Sequence, residues 1–343
     1  MQLKTKASLL LLISLSLYLM LSFIIAIPAQ FIGLSNNYLF ALSALFVSIP
    51  AFLAPSIVFR RVNRFPAFKA PKFWQIMLAV MIGVGCVHMN EALSCLNSAV
   101  LYNVDVASNS TTAETVMELN VVNMFISLAV IPPICEEFLL RGTLLESWRR
   151  YGPIGAAILT SLIFALLHMA PSAFIVYFCI GMLLAAVYII TRNVWLTVII
   201  HFINNLSSVI AAVMLKYMSD ASLPGEESAI DSVMNIFGSR LGYVALALIY
   251  AVRAAVFIVP GILILRSVFR KRRLGRYADT APLFIEGDDP AAPLPDPYLK
   301  DGALFRGNRT EIWEDILLWV SLDILIVMNV ISGLSEFGII KMG

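Results

Sequence analysis

Residues Ile131 to Arg150 read IPPICEEFLLRGTLLESWRR. This segment places two adjacent carboxylates, Glu136 and Glu137, at the end of an apolar run that is long enough to lie in a bilayer. A charged side chain at bilayer depth costs about 2.5–3.5 kcal/mol on insertion scales, so such groups usually face a partner or a wet cavity. The pair therefore indicates a functional site inside a membrane helix.

The sequence offers a partner for only one of the two carboxylates. Arg141 follows Glu137 by four residues, so both lie on one helical face with the acid on the favourable N-terminal side. We therefore predict a Glu137–Arg141 ion pair. Glu136 is left without a local partner.

Two prolines precede the glutamates and predict an irregular helix. Pro132 and Pro133 have no backbone N–H, so the carbonyls of Leu128 and Ala129 lose their usual helical partners. A bend is expected just before the glutamates. Irregular backbone at membrane depth is tolerated only against protein or a cavity, which again favours a site here.

The composition indicates a polytopic membrane protein. Of 343 residues, 60% are hydrophobic and 13% are charged. We predict an all-α membrane helix bundle of eight transmembrane helices, with a further segment at the C-terminus that forms either a ninth span or a helix along the interface. The cysteines lie in apolar runs without a CxxC pair, which indicates buried free thiols: Cys86, Cys95, Cys135 and Cys179.

Charge patterning orients the predicted spans. The apolar segments are Leu9 to Leu34, Tyr38 to Phe59, Phe73 to Leu96, the glutamate segment, Ile154 to Met169, Ala173 to Ile190, Val194 to Leu215 and Leu241 to Leu265. With the N-terminus in the cytoplasm, every basic cluster falls on the cytoplasmic side and the acidic loops fall outside. The prediction is an integral protein of a membrane such as the bacterial inner membrane.

Buried polar residues recur in the spans after the glutamates. Phe164 and His168 are four apart, and so are His201 and Asn205, so each pair shares a helical face. Taken singly, such residues more often join helices by hydrogen bonds. Counted from the cytoplasmic ends at ~1.5 Å per residue, however, they and Glu136 all fall near the middle of the membrane core. Together they could activate a water and stabilise an oxyanion, or hold a metal.

The order of these patterns on successive membrane segments resembles the CPBP family. This family includes type II CAAX prenyl proteases and bacteriocin-processing intramembrane proteases. The resemblance covers about residues 131–208 and is carried by three motifs: Glu136-Glu137-x-x-x-Arg141, Phe164-x-x-x-His168 and His201-x-x-x-Asn205.

The resemblance implies an all-helical membrane endopeptidase with defined residue roles. Glu136 would be the general base and His168 would orient the water. His201 and Asn205 would stabilise the oxyanion. The supporting residues would be Glu137, Arg141 and Phe164.

The resemblance leaves a metal requirement open. Zinc is the candidate cofactor, but the sequence has no HExxH pattern, which would argue strongly for it. The ligand set that could bind zinc is Glu136, His168 and His201. The implied partners are a peptide or protein substrate, with or without lipid modification, and membrane lipid. No nucleic acid is expected, because topology and anionic lipid explain the basic clusters.

The chain divides by composition into three parts. Residues 1–276 form the transmembrane bundle, with the protease-like core at 120–215, and residues 277–315 read as a polar cytoplasmic linker. Residues 316–343 contain the additional apolar segment, Ile316 to Leu334, which we favour slightly as a span.

Two functions from other classes compete with proteolysis. A non-catalytic immunity or scaffolding protein would use the buried polar set only to join helices. A transporter would use Glu137 and Arg141 to line an ion path, but it should also show inverted repeats or paired broken helices. The sequence indicates only one broken segment, at Pro132 and Pro133.

Overall fold

The computed structural model describes residues 3–65, 68–102, 116, 118–218, 236–273 and 315–337. Within these ranges the chain forms nine long helices and no strand. This follows from the apolar composition, because a backbone in lipid must satisfy its own hydrogen bonds and a helix does so within one segment. The predicted all-α polytopic bundle is confirmed.

The helices follow the predicted segments closely. Their bounds are α1 Leu3–Phe31, α2 Asn36–Val62, α3 Phe73–Val100, α4 Val121–Leu145, α5 Pro153–Leu167, α6 Phe174–Thr191, α7 Val194–Met218, α8 Ser239–Arg273 and α9 Ile316–Glu336. Short 3₁₀ turns, Trp148–Tyr151 and Pro171–Ala173, flank α5.

The set of spanning helices differs from the prediction in one respect. Eight helices are long and apolar enough to cross a membrane, and they include α9 but not α5, which has only 15 residues. A helix of this length spans about 22 Å, short of a ~30 Å core. α5 ends at Leu167 because the chain turns there, and Met169 adopts a left-handed conformation with φ 46°.

Helix α4 is irregular around the glutamates. Its backbone is π-helical at Phe125–Val130 and again at Leu140–Leu145, with a regular α-helical segment, Ile131–Leu139, between them. The predicted bend before the glutamates is therefore a π-helical segment. Such wider turns absorb a missing N–H, and they occur often at functional sites.

The described structure contains a second irregular helical segment, whereas the sequence indicated only one. Helix α2 is π-helical over Ala44–Leu53, and Pro50 lies inside that segment. The reason is the same as in α4, because Pro50 also lacks the N–H that a regular helix would use. α2 packs directly on the glutamate-bearing turn of α4.

Close helix crossings hold α3 between α7 and α8. A Cβ on Gly83 would come within 2.7 Å of Ile203, and a Cβ on Gly85 would come within 2.7 Å of Ile258. Only glycine permits this approach of backbones, as is common between membrane helices. The crossings fix α7, which carries His201.

The outer surface is apolar and α4 lies at the centre. Large hydrophobic side chains such as Phe31 and Phe73 are exposed, as expected for surfaces that face lipid. In contrast, Leu139, Leu140 and Leu144 of α4 are fully buried. The glutamates therefore sit on the central helix of the bundle.

Several predicted features fall partly or wholly outside the described residues. The cytoplasmic linker at 277–315 does so except for Asp315, as do most of both acidic loops. The four cysteines are free, as predicted, although only Cys86 and Cys135 are buried and the other two are half-buried.

Candidate active site

Helix α7 satisfies a carbonyl that the prolines of α4 leave without a helical donor. The Asn205 Nδ2 donates to the Leu128 carbonyl oxygen at 3.0 Å. Leu128 lies four residues before Pro132, which has no N–H to offer. Asn205 thus holds α7 against the irregular part of α4, and one of its two amide hydrogens is used in doing so.

Glu137 is the centre of a fully buried polar cluster. Its Oε1 accepts a hydrogen bond from Arg141 Nη1 at 2.8 Å and lies 3.1 Å from His201 Nδ1. Glu137 and Arg141 are both 0% exposed, and His201 is 2% exposed. Arg141 Nη2 also donates to the Gly181 carbonyl oxygen at 2.9 Å, which links the cluster to α6.

Phe164 joins the three motifs. The Arg141 guanidinium lies 4.8 Å from the centroid of its ring, in cation–π geometry. The rings of His168 and His201 lie 4.6 Å and 5.4 Å from the same ring, centroid to centroid. One buried aromatic side chain therefore contacts both histidines and the Arg141 guanidinium.

His168 lies at the end of α5 rather than inside a helix. Its Nδ1 is 2.8 Å from the Phe164 carbonyl oxygen, and its ring stacks on Tyr177 at 3.9 Å. Because a carbonyl oxygen can only accept, Nδ1 carries the proton in this contact. The neutral ring then presents a lone pair at Nε2.

Glu136 differs from its neighbour in having no protein partner. Its Oε2 is buried, and no hydrogen bond or ion pair joins Glu136 to another described residue. One oxygen of Glu137, Oε2, is likewise unbonded in the described structure, but its other oxygen has two partners. Buried polar atoms are normally satisfied, so an unpartnered carboxylate calls for an explanation.

The surroundings of Glu136 include two tyrosines that the motifs do not contain. The carboxylate acts electrostatically on His168, on Tyr177 of α6 and on Tyr18 of α1. The spacing patterns could not identify Tyr18 or Tyr177, since neither has a charged residue or a histidine three or four residues away. They add two hydroxyl groups to the neighbourhood of the free carboxylate.

The described residues show no gathered ligand set for a metal ion. No group of three or more His, Cys, Asp or Glu side chains in the described part of the chain is placed to hold one. The candidate zinc ligands Glu136, His168 and His201 are among these residues. The mechanism proposed below uses no metal.

The structure thus brings the predicted residues into one neighbourhood. Glu137, Arg141 and His201 form a buried cluster, and Phe164 links this cluster to His168. Glu136 acts electrostatically on both His168 and Arg141. Asn205 is one helical turn beyond His201 and faces the backbone of α4.

Comparison with known proteins identifies one relationship. Residues 118–207 match the family model of type II CAAX prenyl endopeptidase Rce1-like proteins. This range contains all three motifs and confirms the resemblance found in the sequence. No curated protein and no solved structure matches the chain.

Proposed function

Because residues 118–207 match the family model of Rce1-like type II CAAX prenyl endopeptidases, we propose that the chain is a CPBP-family membrane protease that hydrolyses a peptide bond with a water activated by Glu136. The observation that carries the proposal is the unequal pairing of the two adjacent glutamates. Glu137 is engaged by Arg141 and His201, whereas Glu136 keeps a buried oxygen with no donor. Glu136 is therefore the carboxylate of the pair that no described protein group neutralises, and we assign it the proton-accepting role.

The water is held between two acceptors. Glu136 offers a carboxylate oxygen, and neutral His168 offers the Nε2 lone pair, because its Nδ1–H is used by the Phe164 carbonyl. A water that donates to both groups turns an oxygen lone pair toward the substrate carbonyl carbon. Glu136 takes one proton as the O–C bond forms, which is general-base catalysis.

Collapse of the tetrahedral intermediate returns that proton. As the C–N bond breaks, the proton on Glu136 passes to the leaving amine and the carboxylate is regenerated. The products are a new carboxyl terminus and a new amino terminus. Atoms and charges balance without a co-reactant other than water.

The oxyanion is stabilised from α7. His201 is held in place for this role by the contact of its Nδ1 with the Glu137 carboxylate at 3.1 Å. Asn205 retains its second amide hydrogen for the same task. Fixed donors in a site with little water are worth about 3–4 kcal/mol each in the transition state.

The other two functions are less well supported. A residue that only joins helices is expected to be hydrogen-bonded, but Glu136 is not bonded to any described residue. An ion path through Glu137 and Arg141 would require that these groups be reachable, yet both are fully buried.

The substrate is a peptide or protein that reaches the site from within or beside the membrane. We infer that it enters from the cytoplasm and the inner leaflet, and that a lipid modification fits the apolar surroundings of the site. Arg192, at the end of α6, pairs with Glu146 at 2.9 Å, so its charge is partly neutralised.

The test is the appearance of new peptide termini. Membranes containing the wild-type chain are compared with membranes containing Glu136→Gln, and new amino termini are identified by mass spectrometry. Glu91→Gln is the matched control, because Glu91 is also a glutamate in a membrane helix but pairs with His88 at 2.9 Å, away from the site. Termini present with wild type and Glu91→Gln but absent with Glu136→Gln support the proposal. The same termini in all three samples would overturn it.

A further inference from the structure

Helix α9 lies against the turn that follows His168. It runs beside α5 from one end to the other, since Asp315 at its start bonds Tyr151 before α5 and Glu336 at its end bonds Ser172 after α5. This helix is outside the residues that match the family model. Nothing in the three motifs accounts for its polar contacts.

Three side chains of α9 bond the turn directly. Asn329 Nδ2 donates to the Leu166 carbonyl oxygen at 2.7 Å, and Ser332 Oγ donates to the Met169 carbonyl oxygen at 2.6 Å. The backbone N–H and hydroxyl of Ser172 both donate to the Glu336 carboxylate. The bonded residues of the turn, Leu166, Met169 and Ser172, lie on both sides of His168 in the chain.

The turn needs such contacts because its backbone is costly. The last carbonyls of a helix lack the usual donor four residues on, and at Leu166 the Met169 N–H bonds the carbonyl in a tighter turn at 3.2 Å while Asn329 adds a second donor. Met169 has φ 46°, a region that non-glycine residues rarely adopt and that costs on the order of 1–3 kcal/mol. Such a conformation persists only when the surrounding structure fixes it.

Close packing supplements the hydrogen bonds. A Cβ on Gly333 would lie 3.3 Å from Pro171 Cγ, so α9 packs closely on the turn and a larger residue there would require a small shift. Asn329 and Glu336 are 8% and 6% exposed, so their bonds to the turn are shielded from water. At its other end α9 is fixed to α1, where Ser8 Oγ donates to Asp315 Oδ2 at 2.6 Å.

We propose that α9 positions His168 for catalysis, with Asn329 and Ser332 as positioning residues that act through the turn at 166–172. The inference rests on the proposed function, because it assigns α9 a part in the same hydrolytic site. The His168 ring is fixed by Phe164 and Tyr177 on its faces, but the placement of its backbone depends on α9. A shift of about 1 Å in a catalytic group can cost up to ~100-fold in rate.

A matched pair of serines in α9 tests the proposal. Ser332→Ala removes the donor to Met169, while Ser321→Ala removes a hydroxyl that bonds only the Leu317 carbonyl of its own helix. We expect Ser332→Ala to lower kcat roughly tenfold with KM within about twofold. Ser321→Ala should remain near the wild-type values. Ser332→Thr keeps the hydroxyl and should restore kcat.

A second measurement does not depend on activity. The chain has only three histidines, so ¹⁵N-histidine NMR of the full chain in micelles gives few imidazole signals. The His168 signal is identified as the one missing from His168→Asn. In Ser332→Ala it should move while the signals of His88 and His201 stay in place. Asn329→Leu should move the same signal.

The two measurements separate failure of this inference from failure of the proposed function. A His168 signal unchanged in both Ser332→Ala and Asn329→Leu would overturn the positioning role, whatever the rates. A fall in kcat of the same size in Ser321→Ala would also overturn it, because the effect would then be general. If the wild type cleaves nothing, the proposed function fails, and the NMR comparison alone decides whether α9 positions His168.

Discussion

Replacing Arg141 by methionine should destabilise the fold strongly. The pair with Glu137 is completely buried at 2.8 Å, and loss of one partner from such a pair costs about 3–5 kcal/mol. The change also leaves the Gly181 carbonyl without its donor. His201 remains bonded to the Glu137 carboxylate and offsets part of the loss, so we expect a destabilisation of about 3 kcal/mol.

Unfolding by SDS titration in mixed micelles measures this cost. A double-mutant cycle is formed by Arg141→Met, Glu137→Gln and the variant that carries both changes. The double variant should lose less unfolding free energy than the sum of the single variants, because it leaves no buried charge alone. Arg192→Met is the control. Its pair with Glu146 keeps 19% and 10% side-chain exposure, so a smaller loss than that of Arg141→Met is expected. Additive effects, or an Arg141→Met loss no larger than that of Arg192→Met, would refute the reasoning.

Three further predictions address the remaining parts of the site. Phe164→Leu removes the ring that contacts both histidines and should lower kcat about tenfold, and an unchanged kcat would show that the ring does not position them. Asn205→Ala leaves the Leu128 carbonyl without its donor, which should cost about 1–3 kcal/mol of stability. It should also lower kcat by about 10²–10³-fold. An unchanged kcat would show that Asn205 does not stabilise the oxyanion. A single cysteine at Leu206, in a chain without the four native thiols, should react with a membrane-impermeant reagent from the cytoplasmic side, and reaction only from the opposite side would contradict the inferred entry route.

The helical bundle could be predicted from the sequence because lipid leaves little choice of structure. Apolar runs must be helical, and all nine segments are helices. The end of α5 could not be predicted. The sequence suggested a span to Met169, but the helix ends at Leu167, where Asn329 and Ser332 bond the turn from more than 160 residues away. The spacing of residues along one helix does not indicate contacts with such distant residues.

The site was partly visible in the sequence for a similar reason. Spacing of four along a helix identified residues that share a face, such as Glu137 with Arg141. The prolines also predicted carbonyls without donors at Leu128 and Ala129, but not which side chain would bond them. Tyr18 and Tyr177 were missed, because their closeness to Glu136 arises only when α1 and α6 pack on α4.

The most direct measurement of the central claim is a paired determination of kcat and the free energy of unfolding for Glu136→Gln. An amide cannot take a proton from water, so kcat should fall by about 10²–10⁴ while KM changes little. Because no described residue pairs with Glu136, the same change should leave stability equal to or slightly above that of the wild type. Retention of wild-type kcat, or a large loss of stability that accounts for the lost activity, would contradict the assignment of Glu136 as the base.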